Sequence, residues 1–215
     1  MKSLLKMAVG AMLLAGLAVG CKTTSSFSKE AAAKNAENGF VGAEWTVDGS
    51  TPVKVMVGKT TMNISSKIDT SKIPEGSNVN IIVSYENKGK TGMVDLLSAT
   101  VENGRIDKEW TVKDHSSFYS EGVYSVPTYT FKLSADNGKT SVESEKVDVY
   151  GFIRTQVKNT DGELKKNQNV VIYKSDGTTI KTTTDSDGYI DLKWIPLGQY
   201  SFELSKGASG APKSE

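Results

Sequence analysis

Residues 182–204 read TTTDSDGYIDLKWIPLGQYSFEL. Ile190, Leu192 and Trp194 alternate with other residues, and so do Tyr200, Phe202 and Leu204. That period of two marks half-buried strands, with the apolar set facing a core. Trp194 is therefore expected to point inward. Asp187-Gly188 precedes the first run, and Pro196-Leu197-Gly198-Gln199 separates the two. Gly188 suits a backbone at positive φ. Asp185 and Asp187 are placed to accept turn N–H groups. Tyr189 and Tyr200 supply large apolar area with a polar tip. The stretch specifies a shape, two strands and their turns, rather than a reaction.

The pattern extends upstream to Gly151. Three Asp-Gly pairs, at 161–162, 176–177 and 187–188, separate short strands, and the final strand follows Pro196 and Gly198. Residues 151–205 resemble the prealbumin-like or Cna-B-type β-sandwich, also found as the regulatory domain of carboxypeptidases. Thr184, Asp185, Gly188, Tyr189, Pro196, Gly198 and Tyr200 carry the resemblance. Some Cna-B-type domains form a Lys–Asn isopeptide bond, which needs an asparagine near the end of the last strand. YSFELSK has none, so no crosslink is expected. Asp185, Asp187 and Asp191 are oxygen donors of the kind calcium takes, but their spacing does not fit an EF-hand loop. They read as solvated turn aspartates.

Residues 41–150 carry the same period. Val79, Ile81, Val83 and Tyr85 share one face, as do Met62, Ile64 and Ile68, and Ile106, Trp110 and Val112. Turns are marked at Pro74-Glu75-Gly76, Asn87-Lys88-Gly89-Lys90, Asn103-Gly104 and Asp136-Asn137-Gly138-Lys139. The Asn103-Gly104 pair, between VDLLSATVE and RIDKEWTV, is the strongest short hairpin signal. Further strands are expected over 129–135 and 144–150, with Tyr129 in the core. Trp45, Val101, Asn103, Gly104 and Trp110 resemble the pattern of immunoglobulin-like modules in bacterial surface and contractile-secretion spike proteins.

The N-terminus, MKSLLKMAVGAMLLAGLAVGC, is a targeting segment. Lys2 and Lys6 precede an apolar run from Met7 to Val19 that is too short to span a bilayer. Ala18-Val19-Gly20-Cys21 resembles a bacterial lipobox, with Ala18 where leucine is usual. The resemblance implies cleavage before Cys21 and acylation of its thiol, with palmitate among the acyl groups. Cys21 is the sole cysteine, so it has no intramolecular disulfide role. Several acyl groups anchor far more firmly than one. Lys22 follows where an aspartate would retain a lipoprotein in the inner membrane of enterobacteria, which favours the outer membrane. Residues 22–39 are small and polar and read as a flexible tether.

The fold class expected is all-β: two antiparallel β-sandwich domains in tandem after a signal peptide and a short tether. The segments are 1–20 (signal peptide), 21–40 (lipidated cysteine and tether), 41–150 (immunoglobulin-like), 151–206 (prealbumin-like) and 207–215 (tail). Twenty-six basic side groups face 25 acidic ones, so no nucleic-acid footprint is present. His115 is the only histidine, which excludes a multi-histidine metal site. No G-x-S-x-G elbow, phosphate loop or dinucleotide fingerprint occurs. Glu143 and Glu145 share a face of an expected strand and read as a solvated surface. No catalytic residue, metal or cofactor is expected.

Residues 114–129, DHSSFYSEGVYSVPTY, interleave aromatics with small polar residues. Phe118, Tyr119 and Tyr124 are the candidate partner contacts, since exposed aromatics stack on sugars or anchor proteins. The function expected is a lipid-anchored envelope protein acting as a non-enzymatic binding or structural module for a protein or glycan. Two alternatives stay open. One is an accessory lipoprotein of a secretion machine, similar to the single-domain prealbumin-like lipoprotein of the type VI system. The other is a lipid-anchored hydrolase using carboxylates.

Overall fold

A computed structural model describes residues 38–204, apart from 121, 136, 137 and 175. The signal peptide, Cys21, nearly all of the tether and the tail lie outside the described residues. So do two residues of the turn at 136–139.

Regular alternation and frequent Gly-containing turns leave no stretch with helical period, and the described residues hold no α-helix. The fold is all-β. The first strands are β1 (Phe40–Thr46), β2 (Lys54–Met56), β3 (Thr61–Ile68), β4 (Asn78–Asn87) and β5 (Lys90–Thr100). There follow β6 (Arg105–Thr111), a 3₁₀ turn at Ser116–Tyr119, β7 (Tyr124–Ser125), β8 (Thr128–Ala135), β9 (Thr140–Glu143) and β10 (Val147–Gln156). The last are β11 (Asn169–Lys174), β12 (Thr179–Thr183), β13 (Tyr189–Ile195), β14 (Leu197–Gly198) and β15 (Tyr200–Leu204).

The protein divides into two compact units. Among the described residues, the larger contains those up to His115 together with Val126–Tyr150, and the smaller contains Ser116–Ser125 together with those from Gly151 onward. The contiguous split at 150/151 read from the sequence therefore misses one segment. Residues 116–125 pack with the C-terminal strands.

In the larger unit, β1, β3 and β6 form one antiparallel sheet in the order β1-β3-β6. A second sheet is built on β8-β4-β5, with β9 on β8. The inner faces meet. Trp45 of β1 sets its ring edge-on to Phe131 of β8, with centroids 4.5 Å apart. Trp110 of β6 lies 6.1 Å from Trp45 and 6.3 Å from Tyr129 of β8. Val79, Ile81 and Val83 are fully buried beside them, with Met62, Ile64 and Ile106, as alternation requires. Each such residue adds about 1.5–3 kcal/mol by leaving water. Tyr129 is in this core, its hydroxyl donating to Lys113 O at 2.8 Å.

Between β9 and β10 the ladder is carried by a serine hydroxyl. Ser144 N–H donates to Phe131 O, and Ser144 Oγ accepts from Phe131 N–H at 2.9 Å. Trp45 Nε1 donates to Glu145 O in the same gap. One pairing departs from the antiparallel expectation: β2 runs parallel to Asp148–Tyr150 of β10.

The hairpin expected at Asn103-Gly104 is found instead at the turn 87–90. Asn103 and Gly104 take φ +53° and +69°, as an Asn-Gly turn predicts. Only Glu102 and Arg105 pair across that turn, because β5 lies on β4 while β6 lies on β3. The turn passes the backbone between sheets. The long two-residue hairpin is β4–β5, closed at Asn87↔Lys90 with Lys88 at φ +51° and Gly89 at +76°.

In the smaller unit, Gly151–Gln156 of β10 pair with β13, and β11 lies between β12 and β15. Ile153, Val157, Val170, Ile172, Ile190 and Ile195 form its core, with Ile180, Leu192, Tyr200 and Phe202 against it. The Asp185–Gly188 turn matches its reading. Gly188 has φ +77°, and Asp185 Oδ1 accepts from the N–H groups of Asp187 and Tyr189, both at 2.8 Å. Trp194 does not match. It sits at φ +58° where the β10–β13 register slips between Gly151 and Phe152, and it is 39% exposed. The extra residue is a bulge, and it turns Ile195 rather than Trp194 inward.

Candidate functional site

The 114–129 segment comes first, since it carries the partner contacts expected from sequence. Phe118 is fully buried in its 3₁₀ turn, so it fills core and is not a contact surface. Tyr119 and Tyr124 are half-buried. β7 pairs with β14, Tyr124 against Gly198 and Ser125 against Leu197. Gly198 permits this: a Cβ there would stand 2.6 Å from Val123 O.

Tyr124 meets two C-terminal residues that sequence spacing could not bring to it. Its ring lies edge-on to Tyr200 at 5.5 Å, and Lys174 Nζ stands 5.0 Å from its centroid. Tyr200 Oη donates to Pro196 O at 2.6 Å. Burial, then a hydrogen bond with Tyr124, and then the charges of Tyr124, Asp176 and Tyr119 push the Tyr200 phenol well up, so it stays a protonated donor. The Tyr124 ring is thus occupied at its edge by a phenol and over its face by an ammonium. Phe118 and Tyr124 thus help to dock the loop on its own unit.

The residues weighed for chemistry are placed apart. His115 packs on Tyr85, ring centroids 4.9 Å apart. Tyr85 in turn lies over Gly92, where a Cβ would come within 2.6 Å of the ring. Glu143 ends β9 and Glu145 lies in the gap beyond it, both exposed. Asp185 is committed to its turn, Asp187 offers its backbone carbonyl to Gln156 Nε2 at 3.0 Å, and Asp191 pairs with Arg154 across the ladder. Among the described residues, no three His, Cys, Asp or Glu side groups gather as a metal would require.

A surface feature unread in the sequence stands out on β5. Met93 and Leu96 are 55% and 59% exposed. The β4–β5 register slips between Val83 and Ser84, so Ser84 faces Met93 while Ile82 faces Leu96. Met93 and Leu96, three apart, thereby share the outer face of the sheet with Ile82. The surrounding positions are polar: Thr91, Ser98, Asn80, Thr130 and Ser134, with Lys132 directly opposite Ile82. Run-on hydrophobicity in GMVDLL conceals this, because a bulge breaks the period of two at one residue.

Among the described strands β5 ends its sheet, and that edge is guarded. Val94 is the bulged residue, and Asp95 turns to the inner side opposite Val83. An inward carboxylate and a bulge are devices that discourage pairing with another strand. Asp95 Oδ2 accepts from Trp110 Nε1 at 2.8 Å and from Lys113 Nζ at 2.6 Å. Burial alone would raise its pKa, but the bonds from Lys113 and Trp110 outweigh that and hold it below the usual carboxylate range.

No family model matches the sequence, and no curated protein matches it. No helix among the described residues is long and apolar enough to cross a membrane.

Proposed function

We propose that this protein is a lipid-anchored envelope protein, held through Cys21 at the outer membrane, that binds a protein partner without catalysing a reaction. The observation that carries the reading is the outward pair Met93 and Leu96 beside Ile82 on an otherwise polar sheet face. Exposed apolar groups rimmed by polar residues are the usual core of a contact surface. The guarded edge of β5 directs a partner to the face and away from strand addition. The larger unit, with β1-β3-β6 packed on β8-β4-β5 through Trp45 and Trp110, is read as immunoglobulin-like. The smaller, with its Asp-Gly turns and Tyr200, is read as prealbumin-like.

The test is capture from detergent-solubilised envelope with the full-length protein and with a Met93→Glu/Leu96→Lys variant. A protein recovered by the first and lost by the second, with thermal unfolding unchanged, is the expected result. The same recovery by both overturns the assignment of the surface. The anchor is tested separately: Cys21→Ser should abolish incorporation of labelled palmitate, and equal label would sink that part of the reading.

A further inference from the structure

We propose that Asn103-Gly104 is a latent site of succinimide chemistry and that Glu75 holds it shut. In an Asn-Gly pair the glycine nitrogen, once it loses its proton, attacks Cγ of the asparagine. A new bond forms between that nitrogen and Cγ, the bond from Cγ to Nδ2 breaks, and ammonia leaves. Water then opens the imide at either carbonyl, giving aspartate or isoaspartate at the same position. No oxidant or cofactor enters.

Asn103 is exposed, and Gly104 has no Cβ to hinder the attack. Against this, both polar groups of Gly104 are tied. Its N–H donates to Glu75 Oε1 at 2.6 Å, and its carbonyl accepts from Ile68 N–H at 2.8 Å. Glu75 is itself positioned. Gly76 N–H donates to Val101 O and Val101 N–H to Ser77 O, both at 2.9 Å, which pins the 74–77 turn beside the 101–105 turn. A carboxylate against an N–H favours the protonated amide and opposes the anion the attack requires. The two anchors also resist the backbone rotation that would carry the nitrogen toward Cγ. Opening of this turn must therefore come before the chemistry.

The experiment ages the full-length protein at mildly alkaline pH and follows residue 103 by peptide mapping and an isoaspartate methyltransferase assay. Glu75→Ala is expected to speed modification at Asn103 on the order of tenfold, the worth of a hydrogen bond to a charged group. Glu75→Gln, which keeps an oxygen acceptor without the charge, should fall between wild type and Glu75→Ala. Asn38-Gly39 serves as the internal reference site and should be unchanged. A Glu75→Ala rate at Asn103 equal to wild type overturns the proposal. So does an equal rise at Asn38 and Asn103, which would report general loosening instead of a local guard.

Discussion

Trp194 and Gly188 both sit in left-handed backbone space, at φ +58° and +77°, for opposite reasons. Gly188 is there because the turn needs it and glycine takes that conformation without strain. Gly188→Val should cost on the order of 1–2 kcal/mol or more, read by urea unfolding, because a β-branched residue is strained at positive φ. Asp187→Asn should change stability by less than about 0.5 kcal/mol, because Asp185 and not Asp187 gathers the turn N–H groups. Trp194 is there because a bulge puts it there, and Ile195 and Leu197, 8% and 2% exposed, go inward in its place. Trp194→Ala should therefore cost about 1 kcal/mol, against the roughly 3–5 kcal/mol of a core tryptophan. The same denaturation series measures both variants.

Strands are legible wherever one residue in two is apolar and nothing interrupts the count. Val79, Ile81, Val83 and Tyr85 read that way, and all four are buried. The bulge at Trp194 defeats the reading, and the one at Val94 interrupts the period on β5, because inserting one residue reverses every later side group on the strand. Pairing is less legible than existence: Asn103-Gly104 has the local chemistry of a hairpin, yet tertiary packing sends β6 to β3. Asp95 shows what such partners do. Because its folded pKa lies below the unfolded value of about 3.9, it adds stability above about pH 4 and loses it as pH falls through the folded pKa. Asp95 is only 16% exposed, but Lys113 is 57% exposed and solvent screens that bond. Asp95→Asn is expected to cost about 1 kcal/mol at neutral pH and to flatten the acid limb of a stability–pH curve. An unaltered limb would show that Asp95 does not set it.

The candidate contacts at Phe118, Tyr119 and Tyr124 are visible in the sequence as a cluster of aromatics, but composition does not say whether a cluster faces solvent or its own protein. Phe118 is buried and Tyr124 packs on Tyr200, and the smaller unit is discontinuous in sequence as a result. Residues 151–206 alone lack Phe118, and they lack β7, the partner of β14. That fragment is expected to give no cooperative thermal transition by circular dichroism, whereas joining residues 116–125 to it should restore one. A sharp transition from 151–206 alone would show the segment to be dispensable. The same discontinuity fixes an order of events in time. As the polypeptide emerges amino end first, Phe118 is delivered long before Leu197 and Gly198, the strand that packs on its 3₁₀ turn. Closing so large a loop is slow, and the waiting aromatic is a ready ligand for a holdase chaperone. The speed at which newly made molecules mature should thus be set by how quickly the last strand meets residues 123–125.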